Sequence, residues 1–205
     1  MTTGERPPVG DLAGLDDPVR TLFERIAAPA AGAPPDLPAI AAALIDLAGD
    51  RDYIGRWVTA LGETSGGLAI HAPERGPRLL IVHRGEGQMG AVHDHGTWVA
   101  ITPIVGLETH RQYRLADDGS DPSRVEVVES LALRPSDAAT LLPPDDIHDH
   151  GHLVGQGEPA YILVMTGDDQ VTFTRNEWDP VSGRHRVLQP GDRGRGLASQ
   201  PWPGP

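Results

Sequence analysis

His93 and His95 stand two residues apart in the run Gly87-Gln-Met-Gly-Ala-Val-His93-Asp-His95-Gly-Thr-Trp98. In an extended chain alternate side chains leave on the same face, so both imidazoles can reach one point. Neutral imidazole is the commonest protein ligand for a first-row transition metal. Two ligands do not make a site, and the downstream segment Leu142-Pro-Pro-Asp-Asp-Ile-His148 supplies a third. His150 and His152 follow at the same parity, so extended geometry alone does not separate the three. The chemistry on offer is a metal centre. The plain alternative is a polar turn with incidental histidines.

These residues need a scaffold, and the chain changes character along its length. Asp16-Asp17-Pro18 predicts a helix start, followed by the stripe Val19, Leu22, Phe23 and Ile26. A second helix is expected after Asp36, with Ile40, Ala43, Leu44 and Leu47 on one face, and a third over 51–61. From about residue 66 short apolar runs alternate with Gly, Pro and Asp. They predict strands over 67–71, 78–83, 91–95, 98–105, 107–115, 124–131, 138–142, 161–166 and 171–175. Many short strands at this spacing indicate a sandwich or barrel. The expected division is 1–64 as an arm with helices packing on the barrel, 65–178 as the barrel, and 179–205 as a Pro/Gly-rich arm.

Composition narrows the partners. The 205 residues contain no cysteine, which excludes thiolate metal sites and a cysteine nucleophile. A net charge of −12 argues against broad nucleic-acid or anionic-membrane binding. The first residues lack the apolar core of a signal peptide and no apolar run is long enough to span a bilayer, so a cytoplasmic protein is expected.

Gly87, five residues, then His93-x-His95 resembles the first half of the cupin motif, and Pro143-x-Asp145-x-x-His148 resembles the second. The resemblance implies a mainly β double-stranded β-helix, a small jelly-roll barrel, preceded by N-terminal helices. Metal would lie inside it, held by His93, His95 and His148. Cupins usually add a Glu four or five residues after the second histidine, but Val99 and Ala100 stand there. The remaining three-histidine set is similar to that of cysteine dioxygenase-like thiol dioxygenases, which use Fe(II). The similarity runs roughly over 65–175 and includes Ile81-Val-His-Arg-Gly85-Glu86-Gly87, the Gly106 turn and Glu158-Pro159-Ala160.

Departures from that branch bear on the substrate. Its Ser-x-His-x-Tyr run reads Ile162-Leu-Val164-Met-Thr166 here, its crosslinking cysteine is Ala100, and no arginine stands near Gly66-Gly67. Cysteine is therefore disfavoured, and a pocket lined by Trp98, Ala100, Ile162 and Val164 would suit a bulkier thiol or thione. Arg84 replaces a frequent Trp. It shares a face with Val82, which the resemblance makes the interior, where a guanidinium could form a fork with a substrate carboxylate. His150 and His152 are assigned places beside the ligands, with an exposed polar loop as the expected environment. Glu108, Tyr113 and His110 are expected to be structural.

The implied reaction adds both atoms of dioxygen to the sulfur of a small thiol or thione, such as a mercapto acid or ergothioneine, giving a sulfinate. The chain would act as a monomer or a homodimer. Two other classes fit the same histidines: a zinc hydrolase or lyase that activates water, and a non-catalytic cupin binding module.

Overall fold

The computed structural model describes residues 14–26, 34–63, 66–116 and 121–192. The expected N-terminal arm before residue 14, the linker at 27–33, part of the loop at 117–120 and the chain after 192 lie outside them.

Among the described residues three helices come first: α1 (Asp17–Arg25), α2 (Leu37–Gly49) and α3 (Arg51–Leu61). Each starts where an aspartate precedes it. Asp36 accepts the Ala39 N–H at 3.1 Å and Asp50 accepts the Tyr53 N–H at 3.0 Å, satisfying donors that a first turn leaves unpaired. Among the described residues no helix is long and apolar enough to cross a membrane.

The described residues then form twelve strands: β1 (Gly66–His71), β2 (Arg78–Arg84), β3 (Gln88–Met89), β4 (Val92–His93), β5 (Val99–Val105), β6 (Glu108–Leu115), β7 (Val125–Leu133), β8 (Ala139–Leu141), β9 (His148–His152), β10 (Ala160–Thr166), β11 (Arg175–Asp179) and β12 (Arg184–Leu188). They form two antiparallel sheets. One has the order β1-β2-β10-β5-β8; the other runs β12-β11-β4-β9-β6-β7, with β3 also on β9. The chain crosses between sheets repeatedly, makes one long hairpin, β6–β7, within the second sheet, and then crosses back in the reverse order. That path is a double-stranded β-helix, as expected.

The central strands of the first sheet, β10 and β5, are buried on both faces. Leu79, Ile81, Ala100, Ile104, Leu163 and Met165 point outward into one cluster with Phe23, Leu44 and Ile54 of the helices. Val99, Ile101, Leu141, Ala160, Ile162 and Val164 point inward. Two-sided burial is why β5 and β10 read as nearly continuous apolar runs. Each fully buried Leu, Ile or Phe contributes ~1.5–3 kcal/mol, so the helices are part of the fold's stability.

Two differences from expectation concern the C-terminal end of the barrel. Residues 171–174 do not form a strand: a 3-10 turn at Gln170–Thr172 precedes β11, displacing the strand to Arg175–Asp179. Residues 184–188, expected in the arm, pair with β11 from Asp179↔Arg184 to Arg175↔Leu188. Backbone pairing, which needs no apolar pattern, decides both.

Candidate metal centre

The second sheet turns polar groups inward. His93 ends β4 and pairs directly with His148 at the start of β9. His95 lies in the loop after β4 rather than on a strand, yet its ring converges on the other two. Ring centroids are 4.5 Å apart for His93–His95, 4.7 Å for His93–His148 and 5.0 Å for His95–His148. One ligand atom from each histidine lies within 4.8 Å of the others.

Tautomers follow from the backbone. Nδ1 of His93 donates to the Ala91 carbonyl at 2.9 Å, and Nδ1 of His148 donates to the Asp146 carbonyl at 3.0 Å. A carbonyl only accepts, so each Nε2 keeps its lone pair for a ligand role. Nε2 of His148 and both ring nitrogens of His95 are buried with no hydrogen-bond partner among the described residues. Burial, then mutual repulsion, holds His95 and His148 well below the ordinary imidazole range; His93 is also lowered, chiefly by burial. Neutral imidazoles with free lone pairs fit a divalent transition metal.

Asp146 joins the two ligand segments. Its Oδ2 accepts the backbone N–H groups of His95 at 2.9 Å and Gly96 at 3.1 Å, while its carbonyl takes the His148 ring. Gly96 has φ +67°, and a Cβ there would come within 2.9 Å of Phe173 Cβ. The loop therefore depends on glycine at that point.

Val99 points into the apolar inner cluster and Ala100 toward the helices, so neither usual acidic slot offers an oxygen. Glu177 is paired opposite His93, but its Oε2 accepts from Arg186 Nε at 2.9 Å.

Beyond the ligands the expectations divide. Ile162 and Val164 do line the interior. Trp98 and Ala100 do not share it: alternation puts Ala100 on the opposite face of β5, and Trp98, just before the strand, packs in the same cluster against the helices. Arg84 ends β2 two residues after Val82, which packs against the inner cluster, and its charge is felt by both Glu108 and His150. His150 and His152 are not in an exposed loop. They are 6% and 0% exposed on β9, which is buried throughout because it lies between β4 and β6. Nδ1 of His152 donates to the Leu107 carbonyl at 2.8 Å.

His110, set aside as structural, stacks on His148 with centroids 5.2 Å apart, and burial pushes its pKa down to about 4. Glu108 is fully buried. Its Oε1 lies 3.0 Å from Nδ1 of His150, at an angle that makes no hydrogen bond. Burial pushes its carboxyl up to about 8, against the pull of His110 and Arg84. Arg175 escaped notice in the sequence because its register follows from β11. Its charge acts on His93 and His95, and its own ends are taken by Gln170 Oε1 at 3.1 Å and the Asp192 carbonyl at 3.0 Å.

No family model matches the chain, and no curated protein matches it. Solved structures similar to it include the DMSP lyase DddQ from Ruegeria pomeroyi, 13% identical over 50% of this chain and 46% of that one, with a TM-score of 0.37. An uncharacterized conserved protein with a double-stranded β-helix domain from Klebsiella pneumoniae is 19% identical over 54% of this chain and 80% of that one, with a TM-score of 0.38. An RmlC-like cupin from Methanocaldococcus jannaschii is 11% identical over 53% and 84% of the two chains, with a TM-score of 0.39. This chain spans about half the length of the lyases DddQ and DddQII to which it is similar.

Proposed function

We propose that the protein is an iron(II)-dependent dioxygenase that converts a small thiol or thione other than cysteine into a sulfinate. One observation carries the reading: three neutral imidazoles, His95 and His148 buried and His93 partly so, converge with no carboxylate in either usual acidic slot. Such a set leaves a divalent ion its full charge and open positions for an anionic sulfur ligand. Bound iron would supply the redox chemistry of the net reaction, in which R–SH and dioxygen give R–SO2H.

The chain's own residues prepare that event. Backbone carbonyls fix the His93 and His148 rings, and Asp146 fixes the loop that carries His95. The inner apolar wall, with Ile162 and Val164, excludes water from the sulfur and replaces the polar run that a cysteine-specific site would present. Arg84 is the cation of this interior that receives the substrate's charge.

The test is metal content and dioxygen uptake on anaerobically iron-loaded protein with cysteine, cysteamine, mercaptopropionate, mercaptosuccinate and ergothioneine. Stoichiometric iron with uptake on a non-cysteine substrate, lost in His148→Ala, is expected. Retained zinc with no uptake on any of them overturns the reading.

A further inference from the structure

The last strand of a sheet presents a row of unpaired backbone donors and acceptors that another strand can use. Among the described residues the two sheets end in β1 and β8, and in β12 and β7. Three of these four ends are blunted. β8 is three residues long. β1 carries a bulge between Ala69 and His71 and has α3 packed on it. β12 is five residues long and carries Arg184 and Arg186.

β7 differs. Among the described residues it pairs only with β6, and it runs for nine residues, Val-Glu-Val-Val-Glu-Ser-Leu-Ala-Leu, with neither lysine nor proline. Its one irregularity lies at Val128, which has no residue opposite it on β6; from Glu129 to Leu133 the register is regular. Val127 and Val128 are 49% and 47% exposed, two adjacent β-branched side chains on the rim of a sheet. Glu126, Glu129, Ser130 and Ala132 are exposed beside them.

The order of side chains along β7 also indicates which strand fits it. Laid antiparallel on a second copy of itself about Ser130, it sets Val127 against Leu133, Val128 against Ala132 and Glu126 against Arg134. Arg134 is exposed, and it is its backbone N–H, not its guanidinium, that Asp137 accepts at 2.8 Å. Glu126 accepts from Arg114 Nε of β6 at 2.7 Å, so in the pair it lies between an arginine of its own chain and one of the second copy. A shift of one residue loses this match. Centred on Glu129, the pairing opposes that carboxylate to itself; centred on Leu131, it sets Arg134 against Val128.

We propose that β7 is a dimer interface: two copies of the chain join antiparallel along this strand, about a two-fold axis at Ser130, into one sheet continuous across both barrels. Backbone hydrogen bonds along the strand supply the affinity and the side-chain pairs fix the register. Pairing of identical antiparallel strands is isologous, so assembly closes at two copies. β7 lies two strands from β9, which carries His148, so the interface contains no metal ligand and does not depend on the chemistry of the centre.

The experiment is sedimentation velocity of the full chain from micromolar to near-millimolar concentration, together with disulfide cross-linking. The chain has no cysteine, so Ser130→Cys carries the only thiol. Residues directly opposed in an antiparallel pair have Cα atoms ~4.5–5.5 Å apart, within disulfide reach. Wild type is expected to sediment as a dimer, and Ser130→Cys to oxidise to a covalent dimer at least about tenfold faster than Val187→Cys, whose position on β12 is equally exposed. Val128→Lys should raise the dissociation constant about tenfold or more with unchanged circular dichroism. Arg134→Glu should weaken the dimer several-fold, and adding Glu126→Arg should restore it. If Val128→Lys does not fold, the cross-linking comparison decides. A wild type that stays monomeric throughout overturns the proposal and leaves the edge to a strand of another protein. A dimer that survives Val128→Lys, cross-linking of Ser130→Cys no faster than that of Val187→Cys, or a double charge variant no stronger than Arg134→Glu overturns it as well.

Discussion

The carboxylate of Asp146 accepts the backbone N–H of His95 across 51 residues of sequence, at 2.9 Å. The same residue's carbonyl orients His148 two positions on. One residue thus sets the mutual position of two of the three imidazoles.

Asp146→Ala is expected to weaken metal binding about 10- to 100-fold while leaving the barrel folded, since it removes support for the ligands without removing a ligand. Competition against a chelator, with circular dichroism as control, measures it. An unchanged affinity would mean that the β-strands alone fix the ligands.

His148→Ala should abolish stoichiometric metal, whereas His150→Ala should retain it. The two side chains share a face of β9, but only His148 meets His93 and His95 within ligand distance. Elemental analysis of the purified variants decides; equal loss in both would shift the centre along the strand.

Glu108 makes stability depend on pH in a defined direction. Its carboxyl rises from 4.5 to about 8 on folding, so the folded state binds the extra proton between those values. Wild type therefore loses ~1.4 kcal/mol per pH unit from this group as pH climbs through that window, and nothing further above it. His110, lowered to about 4, acts oppositely, costing stability as pH falls below 6.5. In urea titrations of metal-free protein, the stability advantage of Glu108→Gln over wild type should widen from pH 5 to 8 and then level off. A constant difference would place an ionised carboxylate inside the barrel.

Phe23→Ala should cost about 3–5 kcal/mol, because its fully buried ring sits in the cluster that joins the helices to the first sheet. Denaturant unfolding should remain a single transition. A separate early transition would show the helices unfolding on their own.

The sequence made the helices, most strands and the three ligands legible because each has a local signature: an aspartate before a stripe, alternation between turns, a fixed histidine spacing. β9 was not legible. His148-Asp-His-Gly-His152 has no apolar residue, and it is a buried strand only because β4 and β6 flank it. Gly151 there is required by β3: a Cβ would come within 2.2 Å of the Gln88 carbonyl oxygen. The misplacement of Trp98 and Ala100 has another cause. The family pattern places them by position, whereas alternation along β5 turns Val99 and Ile101 inward and Ala100 outward. Arg175 and the polar surroundings of Glu108 depend on cross-strand register, which no single segment encodes.

The two sheets divide the interior between them, one supplying imidazoles and acids, the other aliphatic side chains with Arg84 at the end of β2. This separates two kinds of inheritance. Substitutions at Val99, Ile101, Ile162 or Val164 can reshape the cavity without touching a residue that holds the metal ligands. A lineage built on this barrel can therefore change what it accepts while keeping the centre intact.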